Sequence, residues 1–372
     1  MEELVKAAVE QGASVIHIKA GDVFRARIGN ELVRLSSSTF TPEETRRIAL
    51  GLIPTEAERK RIDHITDHDC SWELKDVGRF RVNILRQRGS FMIVMRVIPW
   101  EIPTLEELGL PPVLAEIADG DHGLVLVTGA VGFGTSATQA ALIGWINRNR
   151  KKHIVTLEDP IEYLHRDERS TVTQRDVGVD TESFRHGLRA ALRQDPDVIL
   201  IGELRDRETI EIALRAAELG QLVISTMHTP NAASTISHLV AVFPEAEREA
   251  ARMLLANALR AIVSQQLLPR ADGTGRVPAV EILRVTGAIR DCILLGKPAE
   301  AIMELVEDGR EAYGMQSFDQ HLMELVQTGM VSYQVAKAAA TSPSDFELIM
   351  QTLAAELGEE GGGLLPGEAF RF

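Results

Sequence analysis

The chain has 372 residues, enough for two or three domains that each have a hydrophobic core. Its content of 45% hydrophobic and 25% charged residues is ordinary for a globular protein, and its net charge of −14 argues against nucleic-acid binding through bulk positive charge. The two cysteines, Cys70 and Cys292, are far apart and form no C-x-x-C pair. This excludes a cysteine-rich zinc module and a disulfide framework, and it fits a reducing compartment.

The N-terminal sequence MEELVKAAVEQGAS is typical of an amphipathic helix and not of a signal peptide. No apolar run approaches the roughly 20 residues that a helix needs to span a bilayer. We therefore expect a cytoplasmic protein.

Residues 1–98 predict a small α+β domain. Strands are expected at 15–18, 78–84 and 91–98, where apolar residues alternate or run together. A helix is predicted over 41–62, because Thr41 followed three residues later by Glu44 forms a capping box. A proline-rich linker is expected at 99–112.

The next region, 113–270, predicts a parallel sheet covered by helices on both faces. Short runs that are apolar at successive positions alternate with helical stretches, as in buried parallel strands. The predicted strands are 124–127, 154–157, 198–201 and 222–226, with helices at 135–149 and 183–193.

The C-terminal part of the chain is predicted to be mostly helical. Apolar residues recur at helical spacing over 245–267 and 298–350, so we expect a helical region over 271–350. The Gly/Glu-rich stretch at 355–369 predicts a flexible tail over 351–372.

Polar residues follow each predicted parallel strand, at the sheet edge where such folds bind ligands. A glycine turn, GAVGFGTSA (129–137), follows the first strand, and EDPIE (158–162) follows the second. GELRD (202–206) follows the third strand, and His228 follows the fourth. Because these segments converge on one edge, the sequence predicts a site there.

The glycine turn fits two nucleotide-binding patterns. Gly132, Gly134 and Ala137 match G-x-G-x-x-A of dinucleotide-binding folds, with Glu158 as a possible ribose ligand. This interpretation predicts a nicotinamide-dependent reductase, in which Tyr333 and Lys337 have the spacing of a catalytic pair. It leaves the carboxylates and His228 unexplained.

The second pattern is the phosphate loop G-x-x-x-x-G-K-[ST] of ATPases, which Gly129, Gly134 and Ser136 fit. Phosphoryl transfer needs backbone N–H groups, a hydroxyl on Mg²⁺, carboxylates and cations. The strand ends supply Ser136, Glu162 and Glu203. Cations are available from Arg189 and Arg193, four residues apart and therefore on one helix face.

Several further segments resemble the type II and type IV secretion ATPases, closest to the branch that retracts pili. TLEDPIEY (156–163) resembles the family's acidic box, LRQDPDVILIGELRD (192–206) its Walker B region and QLVISTMHT (221–229) its histidine box. GRFRVN (78–83), AIRDCILLG (288–296) and GMQSFDQ (314–320) are also similar to family motifs, and no four-cysteine zinc module of assembly-type relatives is present. The resemblance covers about residues 10–348.

The resemblance implies a RecA-like P-loop motor domain, an N-terminal PAS-like domain and C-terminal helices. It implies ATP and Mg²⁺ as ligands, a ring of six subunits and work on an inner-membrane platform protein from the cytoplasmic side. Glu162 would polarise water, Glu203 and Ser136 would lie at Mg²⁺, and His228 would lie at the nucleotide and subunit interface. The implied nucleotide-contacting residues are Gly129, Gly132, Gly134, Thr135, Ser136, Ala137, Arg81, Arg96, Arg189 and Arg193.

The chain departs from the family pattern at the position of the phosphate-loop lysine, where it has Thr135. Ala130, Phe133, Gln221 and Val15 are further departures. A neutral hydroxyl cannot replace a charge on the β- and γ-phosphates, so we expect weakened binding and still weaker hydrolysis. Two hypotheses stay open: a weak retraction ATPase, or a non-catalytic paralogue that joins or regulates a ring of active subunits.

Overall fold

The computed structural model of the protein describes residues 1–29, 31–75, 77–98 and 101–360, with side chains through Leu353. The chain divides into two compact units. The N-terminal unit comprises Met1–Ile102 and Pro160–His165, and the second, here the sheet unit, comprises Pro103–Asp159 and the chain from Arg166 onward.

The N-terminal unit contains a six-stranded antiparallel sheet in the order β3-β2-β1-β6-β5-β4. Side chains alternate between the two faces of these strands, and one face packs around Ile16, Phe24 and Phe80, which are buried. The elements are α1 (Glu2–Glu10), β1 (Ala13–Lys19), β2 (Val23–Ile28), β3 (Glu31–Thr39), α2 (Pro42–Leu52), α3 (Glu56–Lys60), β4 (Asp67–Leu74), β5 (Gly78–Gln87) and β6 (Ser90–Ile98).

The predicted helix over 41–62 is only partly correct. Its start is confirmed: Glu44 N–H donates to Thr41 Oγ1 at 3.2 Å, and Thr41 N–H donates to Glu44 Oε2 at 2.8 Å. The helix ends at Leu52, and α3 begins after a break. Pro54 explains the break, because the residue before a proline is forced towards extended backbone, and Ile53 has ψ 122°.

The sheet unit contains a seven-stranded sheet in the order β13-β12-β7-β11-β10-β8-β9. Strands β12, β7, β11, β10, β8 and β9 are parallel, and β13 is antiparallel to β12. The elements are α4 (Val113–Ala118), β7 (Gly123–Thr128), α5 (Thr135–Asn149), β8 (His153–Glu158), β9 (Thr171–Asp176), α6 (Phe184–Ala191), β10 (Val198–Ile201), α7 (Arg207–Leu219), β11 (Leu222–Met227), α8 (Ala232–Ala241), α9 (Arg248–Ala258), β12 (Leu259–Pro269), β13 (Arg276–Arg284), α10 (Gly287–Leu295), α11 (Ala299–Asp308), α12 (Arg310–Tyr313), α13 (Phe318–Gln327), α14 (Tyr333–Ala339) and α15 (Pro343–Glu360).

Both faces of this sheet are buried, which confirms the predicted parallel α/β fold. On β7, Leu124 and Leu126 join a core that contains α7, α8 and α9, whereas Val125 and Val127 join a core that contains α4 and α5. Because both side-chain directions meet apolar partners, β7, β10 and β11 are buried at every position.

The prediction of helix over 245–267 is wrong for its second half. Helix α9 ends at Ala258, and the chain continues directly as β12. A short apolar run that is buried on both sides has no periodicity that separates helix from strand. The predicted strands at 124–127, 154–157, 198–201 and 222–226 are confirmed, but β9, β12 and β13 escaped the sequence interpretation.

Helices α11 to α15 confirm the helical prediction over 298–350. The wider prediction of a helical region over 271–350 is wrong for its first part, because β13 (Arg276–Arg284) pairs there with β12. Helix α15 continues to Glu360, and the rest of the predicted tail, 361–372, lies outside the described residues. Within the part of the chain that the structure describes, no helix has the length and apolarity required to cross a membrane.

Candidate functional site

The parallel register brings the glycine turn and His228 together. Thr128 at the end of β7 lies opposite Met227 at the end of β11, so Gly129 and His228 leave the sheet side by side. His228 Nδ1 lies 3.1 Å from the Gly129 carbonyl oxygen, a distance that suits a hydrogen bond in which Nδ1–H donates to the carbonyl. The other ring nitrogen, Nε2, is therefore directed elsewhere.

Glu203 lies on that other side of the imidazole. It follows β10, whose last residue pairs with Ser225 of β11, and its Oε2 is 3.6 Å from His228 Nε2. The Glu203 side chain is 13% exposed and the His228 side chain 48%, so the carboxylate is nearly enclosed while the imidazole faces solvent. Arg205 forms an ion pair with Glu203.

Hydrogen bonds between the strand ends fix the position of Glu203. Thr226 Oγ1 donates to the Gly202 carbonyl at 2.7 Å, and Leu204 N–H donates to the Thr226 carbonyl at 3.0 Å. The backbone on both sides of Glu203 is thereby attached to β11. The structure thus brings together the segments after β7, β10 and β11, three of the four that the sequence predicted to converge.

The glycine turn has a backbone conformation that requires glycine at several of its positions. Gly132 and Gly134 have φ of +88° and +82°, in the left-handed region that side chains other than glycine rarely adopt. At Gly129 a Cβ atom would lie 2.5 Å from the Gln265 carbonyl oxygen, so only glycine fits against β12. The loop therefore keeps a specific backbone shape although its lysine is absent.

The loop ends in the first turn of α5, which begins at Thr135. The first backbone hydrogen bond of this helix is from Thr138 N–H to the Gly134 carbonyl, at 3.1 Å. The N–H groups of Thr135, Ser136 and Ala137 precede it and are the unpaired donors found at every helix start. They give this end of α5 a partial positive charge, which favours an anion.

The hydroxyls of Thr135 and Ser136 belong to the same turn, and both side chains are half-buried. Neither hydroxyl makes a hydrogen bond to another described residue of the chain. Ser136 Oγ is therefore available as a ligand for a hard cation, whereas Thr135 contributes no charge.

Gln265 of β12 holds the loop from the side opposite His228. Ser264 lies opposite Thr128, so Gln265 stands beside Gly129. Its Nε2 donates to the Phe133 carbonyl at 2.6 Å, and its Oε1 accepts from Thr138 Oγ1 at 2.7 Å. Gln265 is only 3% exposed and joins the loop to the first turns of α5.

A second buried contact joins the end of β7 to α8. Thr128 Oγ1 donates to Ser264 Oγ at 3.0 Å, and the carboxylate of Glu281 on β13 accepts from the Ala232 N–H at 2.6 Å and from Ser264 Oγ at 3.4 Å. Glu281 is 1% exposed. Burial raises the pKa of its carboxyl to about 7, against the opposing effect of the two hydrogen bonds.

The sequence interpretation missed Gln265 and Glu281. Polar residues interrupt the apolar run IVSQQLL (262–268), and this interruption was the available signal. Its meaning depended on recognising β12 as the strand next to β7.

Arg189 and Arg193 contact groups other than the loop in the described part of the chain. Arg189 and Arg185 both pair with Glu208 at the start of α7, and the two partners lower the pKa of the Glu208 carboxyl, Arg185 most of all. Arg193 Nη1 donates to the Arg189 carbonyl at 2.9 Å. Both predicted arginines are exposed, and within the described residues no contact joins them to the glycine loop, Glu203 or His228.

Three predicted site residues belong to the N-terminal unit. Arg81 on β5 and Arg96 on β6 lie directly opposite each other on neighbouring strands, and both are exposed. Neither guanidinium has an ion-pair partner among the described residues. Like charges directly opposite each other weaken the pairing of two strands. Glu162 lies in the segment Pro160–His165 of the same unit.

The reductase interpretation finds no support at its proposed residues. Glu158 accepts hydrogen bonds from Thr156 at 2.6 Å and from Gln174 at 3.1 Å, so its carboxylate is occupied. Tyr333 is buried in the core of the C-terminal helices, and Lys337 pairs with Glu347 at 2.8 Å. These residues have structural roles.

No group of three or more His, Cys, Asp or Glu side chains among the described residues could hold a metal ion. Mg²⁺ typically needs fewer protein ligands than such a group provides, because it keeps several waters and binds one or two protein side chains together with substrate phosphates. The hydroxyl of Ser136 and the enclosed carboxylate of Glu203 fit this requirement.

The fold and the strand-end site define a class of protein, and comparison with known proteins identifies it. The family model described as "Type II/IV secretion system protein" matches residues 1–342. The chain belongs to this family.

Curated relatives place the chain beside pilus ATPases. It is 40% identical over 352 residues to the type IV pilus ATPase PilU of Pseudomonas aeruginosa, covering 94% of this chain and 91% of that protein. It is 39% identical over 344 residues to PilT, the type IV pilus retraction ATPase of the same organism, covering 92% of this chain and 99% of PilT.

Solved structures agree. The crystal structure of the pilus retraction motor PilT with bound ADP superposes with a TM-score of 0.84 at 41% identity, covering 93% of this chain and 98% of PilT. The Legionella pneumophila ATPase DotB gives a TM-score of 0.80 at 28% identity and covers 91% and 94% of the two chains. The chain is thus a retraction-ATPase-like member of its family, as the sequence motifs predicted.

Proposed function

We propose that the protein is a pilus-retraction-type ATPase subunit that binds ATP with Mg²⁺ at the carboxyl edge of the sheet unit and hydrolyses it weakly. The observation that carries this proposal is the convergence of the glycine loop, Glu203 and His228 at the ends of β7, β10 and β11. PilT, a close structural match, holds ADP, which supports a nucleotide ligand here.

The loop would bind phosphate through backbone groups. The N–H donors at the start of α5 and in the glycine turn need no side-chain charge to attract an anion. Mg²⁺ would be held by Ser136 and Glu203 and would neutralise charge on the phosphates. Glu162 would orient the attacking water, and Arg81 and Arg96, which have no ion-pair partners among the described residues, are available as cations.

Thr135 determines the rate of ATP hydrolysis that we expect. Removal of one positioned charge costs roughly 3 to 5 kcal/mol in the transition state, a factor of hundreds to thousands. Ground-state binding should suffer less, because charge develops further in the transition state. We therefore expect measurable nucleotide binding and slow turnover.

A second candidate function rests on the same observation. If turnover is negligible, the chain is a paralogue that binds nucleotide and joins or regulates a ring of active retraction ATPases. In either case the proposed assembly is a ring of six subunits, homomeric or mixed, that acts on an inner-membrane platform protein from the cytoplasmic side.

The test is Mg²⁺-dependent ATP hydrolysis and ADP binding by the purified chain and its Thr135→Lys variant. We expect Thr135→Lys to raise the rate about 100-fold or more, because it restores the missing charge. Thr352→Lys, which adds the same charge at an exposed position of α15, is the matched control and should change nothing.

Three outcomes separate the candidates. Turnover of the unmodified chain at the level of an intact retraction ATPase would refute the role given to Thr135. Binding of ADP without turnover, together with co-purification with an active relative, would favour the regulatory paralogue. Absence of nucleotide binding in both the unmodified chain and Thr135→Lys would refute the proposed function itself.

A further inference from the structure

The hairpin formed by β12 and β13 extends beyond the sheet edge and runs alongside the glycine loop. Strand β7 ends at Thr128, but β12 continues to Pro269, which pairs with Arg276 of β13. A Cβ atom at Gly134 would lie 3.0 Å from Gln265 Nε2 and 3.3 Å from Leu267 Cδ1. Gly134 therefore lies against this overhanging part of the hairpin, which also accounts for the Gln265 contact to the Phe133 carbonyl.

Arg276 brings a positive charge to the loop from this hairpin. Its Nη1 donates to the Gly132 carbonyl oxygen at 3.3 Å. A guanidinium has five N–H donors, so most of them stay available after this contact. Arg276 is exposed, and no carboxylate pairs with it among the described residues.

Three other arginines of the sheet unit form ion pairs with carboxylates. Arg205 is paired with Glu203 and Arg189 with Glu208. Arg270, on the same hairpin as Arg276, is paired with Asp272 at 3.2 Å. Arg276 differs from these three arginines: within the described residues, its guanidinium contacts the loop and not a carboxylate.

The loop sequence itself, from 129 to 137, has no lysine or arginine. In a chain of net charge −14, a local cation would strengthen the binding of a polyphosphate by the backbone N–H donors of this loop. We propose that Arg276 supplies positive charge for the binding of nucleotide, where Thr135 supplies none, by reaching from the hairpin to the phosphates of a nucleotide seated in the glycine loop. This inference rests on the proposed nucleotide-binding function and assigns a residue to it.

The test is calorimetric titration of the full-length protein with ADP, AMP and adenosine. Arg276→Ala should weaken ADP binding about tenfold, AMP binding less and adenosine binding not at all, because the lost interaction is with phosphate charge. Arg276→Lys should retain most of the affinity, since it keeps the charge. Arg270→Ala, an arginine substitution on the same hairpin that leaves the loop contact intact, should match the unmodified protein.

Salt dependence and a double-mutant cycle separate charge from structure. The affinity of the unmodified protein for ADP should fall more steeply with added salt than that of Arg276→Ala. In a Thr135→Lys background the effect of Arg276→Ala should shrink to about twofold, because the restored lysine supplies the same charge.

Several results would overturn the inference. ADP affinity unchanged by Arg276→Ala would do so directly, and an equal loss for ADP and adenosine would show that Arg276 contacts the base and not the phosphates. An undiminished effect in the Thr135→Lys background would show that the two positions do not share a task. If neither the unmodified protein nor Thr135→Lys bound ADP, both this inference and the proposed function would fail, whereas binding that is indifferent to Arg276 would refute this inference alone.

Discussion

The two sides of Gly129 differ in how they relate to the family pattern. On one side, Glu203 and His228 form what we call the histidine flank, and both residues are those that the family motifs lead one to expect. On the other side, Gln265 and Arg276 form the hairpin flank, which no motif indicated. Between the two flanks lies the glycine loop, which has the glycines of the family pattern but threonine at the position of the lysine.

The comparison shows that the shape of a phosphate loop and its charge are separate properties. The shape is maintained by positive φ angles at Gly132 and Gly134 and by the hydrogen bonds of Gln265. The charge depended on one side chain. With threonine at this position, the positive φ angles of the glycines and the hydrogen bonds of Gln265 are present, so the loop can still present backbone donors.

Removal of the carboxylate of the histidine flank should have the largest effect. Glu203→Gln keeps the side-chain volume but removes the negative charge that faces His228, pairs with Arg205 and would hold Mg²⁺. We expect ATP hydrolysis to fall by about 100- to 1,000-fold in single-turnover assays, measured in the Thr135→Lys background so that the starting rate is high. ADP affinity without Mg²⁺ should change little.

Glu300→Gln removes an exposed carboxylate on α11 and is the control for this experiment. A hydrolysis rate that Glu203→Gln leaves unchanged would mean that the histidine flank is structural. The functional contrast between the two flanks would then disappear.

Substitution of the buried amide of the hairpin flank should have the next largest effect. Gln265→Leu leaves the Phe133 carbonyl and the buried Thr138 hydroxyl without their partner, at an expected cost of about 2 to 4 kcal/mol in the free energy of unfolding. Denaturant unfolding measures this cost, and ADP titration measures the accompanying loss of loop shape.

The variant Gln265→Glu tests one of the two hydrogen bonds of Gln265 at a time. A carboxylate still accepts from Thr138 but cannot donate to Phe133, so it tests the loop contact separately. If Gln265→Leu lowered stability while ADP affinity stayed unchanged, Gln265 would be a core residue without influence on the loop.

The smallest expected effect concerns Glu281, which supports the hairpin flank from β13. Its carboxyl has a pKa of about 7 in the folded protein, above the unfolded value of 4.5. Between these values the folded state retains a proton that the unfolded state has released. Stability from this group should therefore fall as the pH rises from about 4.5 to about 7, by up to about 3 kcal/mol, and stay constant above.

Glu281→Gln removes this titration and keeps an oxygen that can accept from Ala232. Its free energy of unfolding should exceed that of the unmodified protein at pH 8 and approach it at pH 5. Glu304→Gln, at an exposed position of α11, should show no such pH-dependent difference. A difference between Glu281→Gln and the unmodified protein that is equal at both pH values would show that the buried carboxyl does not titrate in this range.

Local sequence was sufficient for the elements with strong signals. The capping box at Thr41, the runs that became β7, β8, β10 and β11, and the glycine turn were all recognisable, since each depends on neighbouring residues. Strand β12 was not recognisable from the sequence, because a run of residues that is buried on both sides has no periodicity that distinguishes it from a buried helix.

The candidate site divides in the same way. Glu203 and His228 were predictable because each directly follows a recognisable strand, and the ends of parallel strands share one edge. The roles of Gln265 and Arg276 could not be predicted from the sequence, since their position beside the loop depends on the pairing of β12 with β7 and of β13 with β12.

The sequence by itself determined the family, the parallel sheet, the glycine loop and the absence of its lysine, because these are written in contiguous residues. Only the tertiary structure decided what surrounds that loop. Register places His228 against one side of Gly129 and Gln265 against the other, so residues that are distant in the chain form the environment of the loop. Pairing between distant strands is a property of the folded chain as a whole, and local sequence does not encode it.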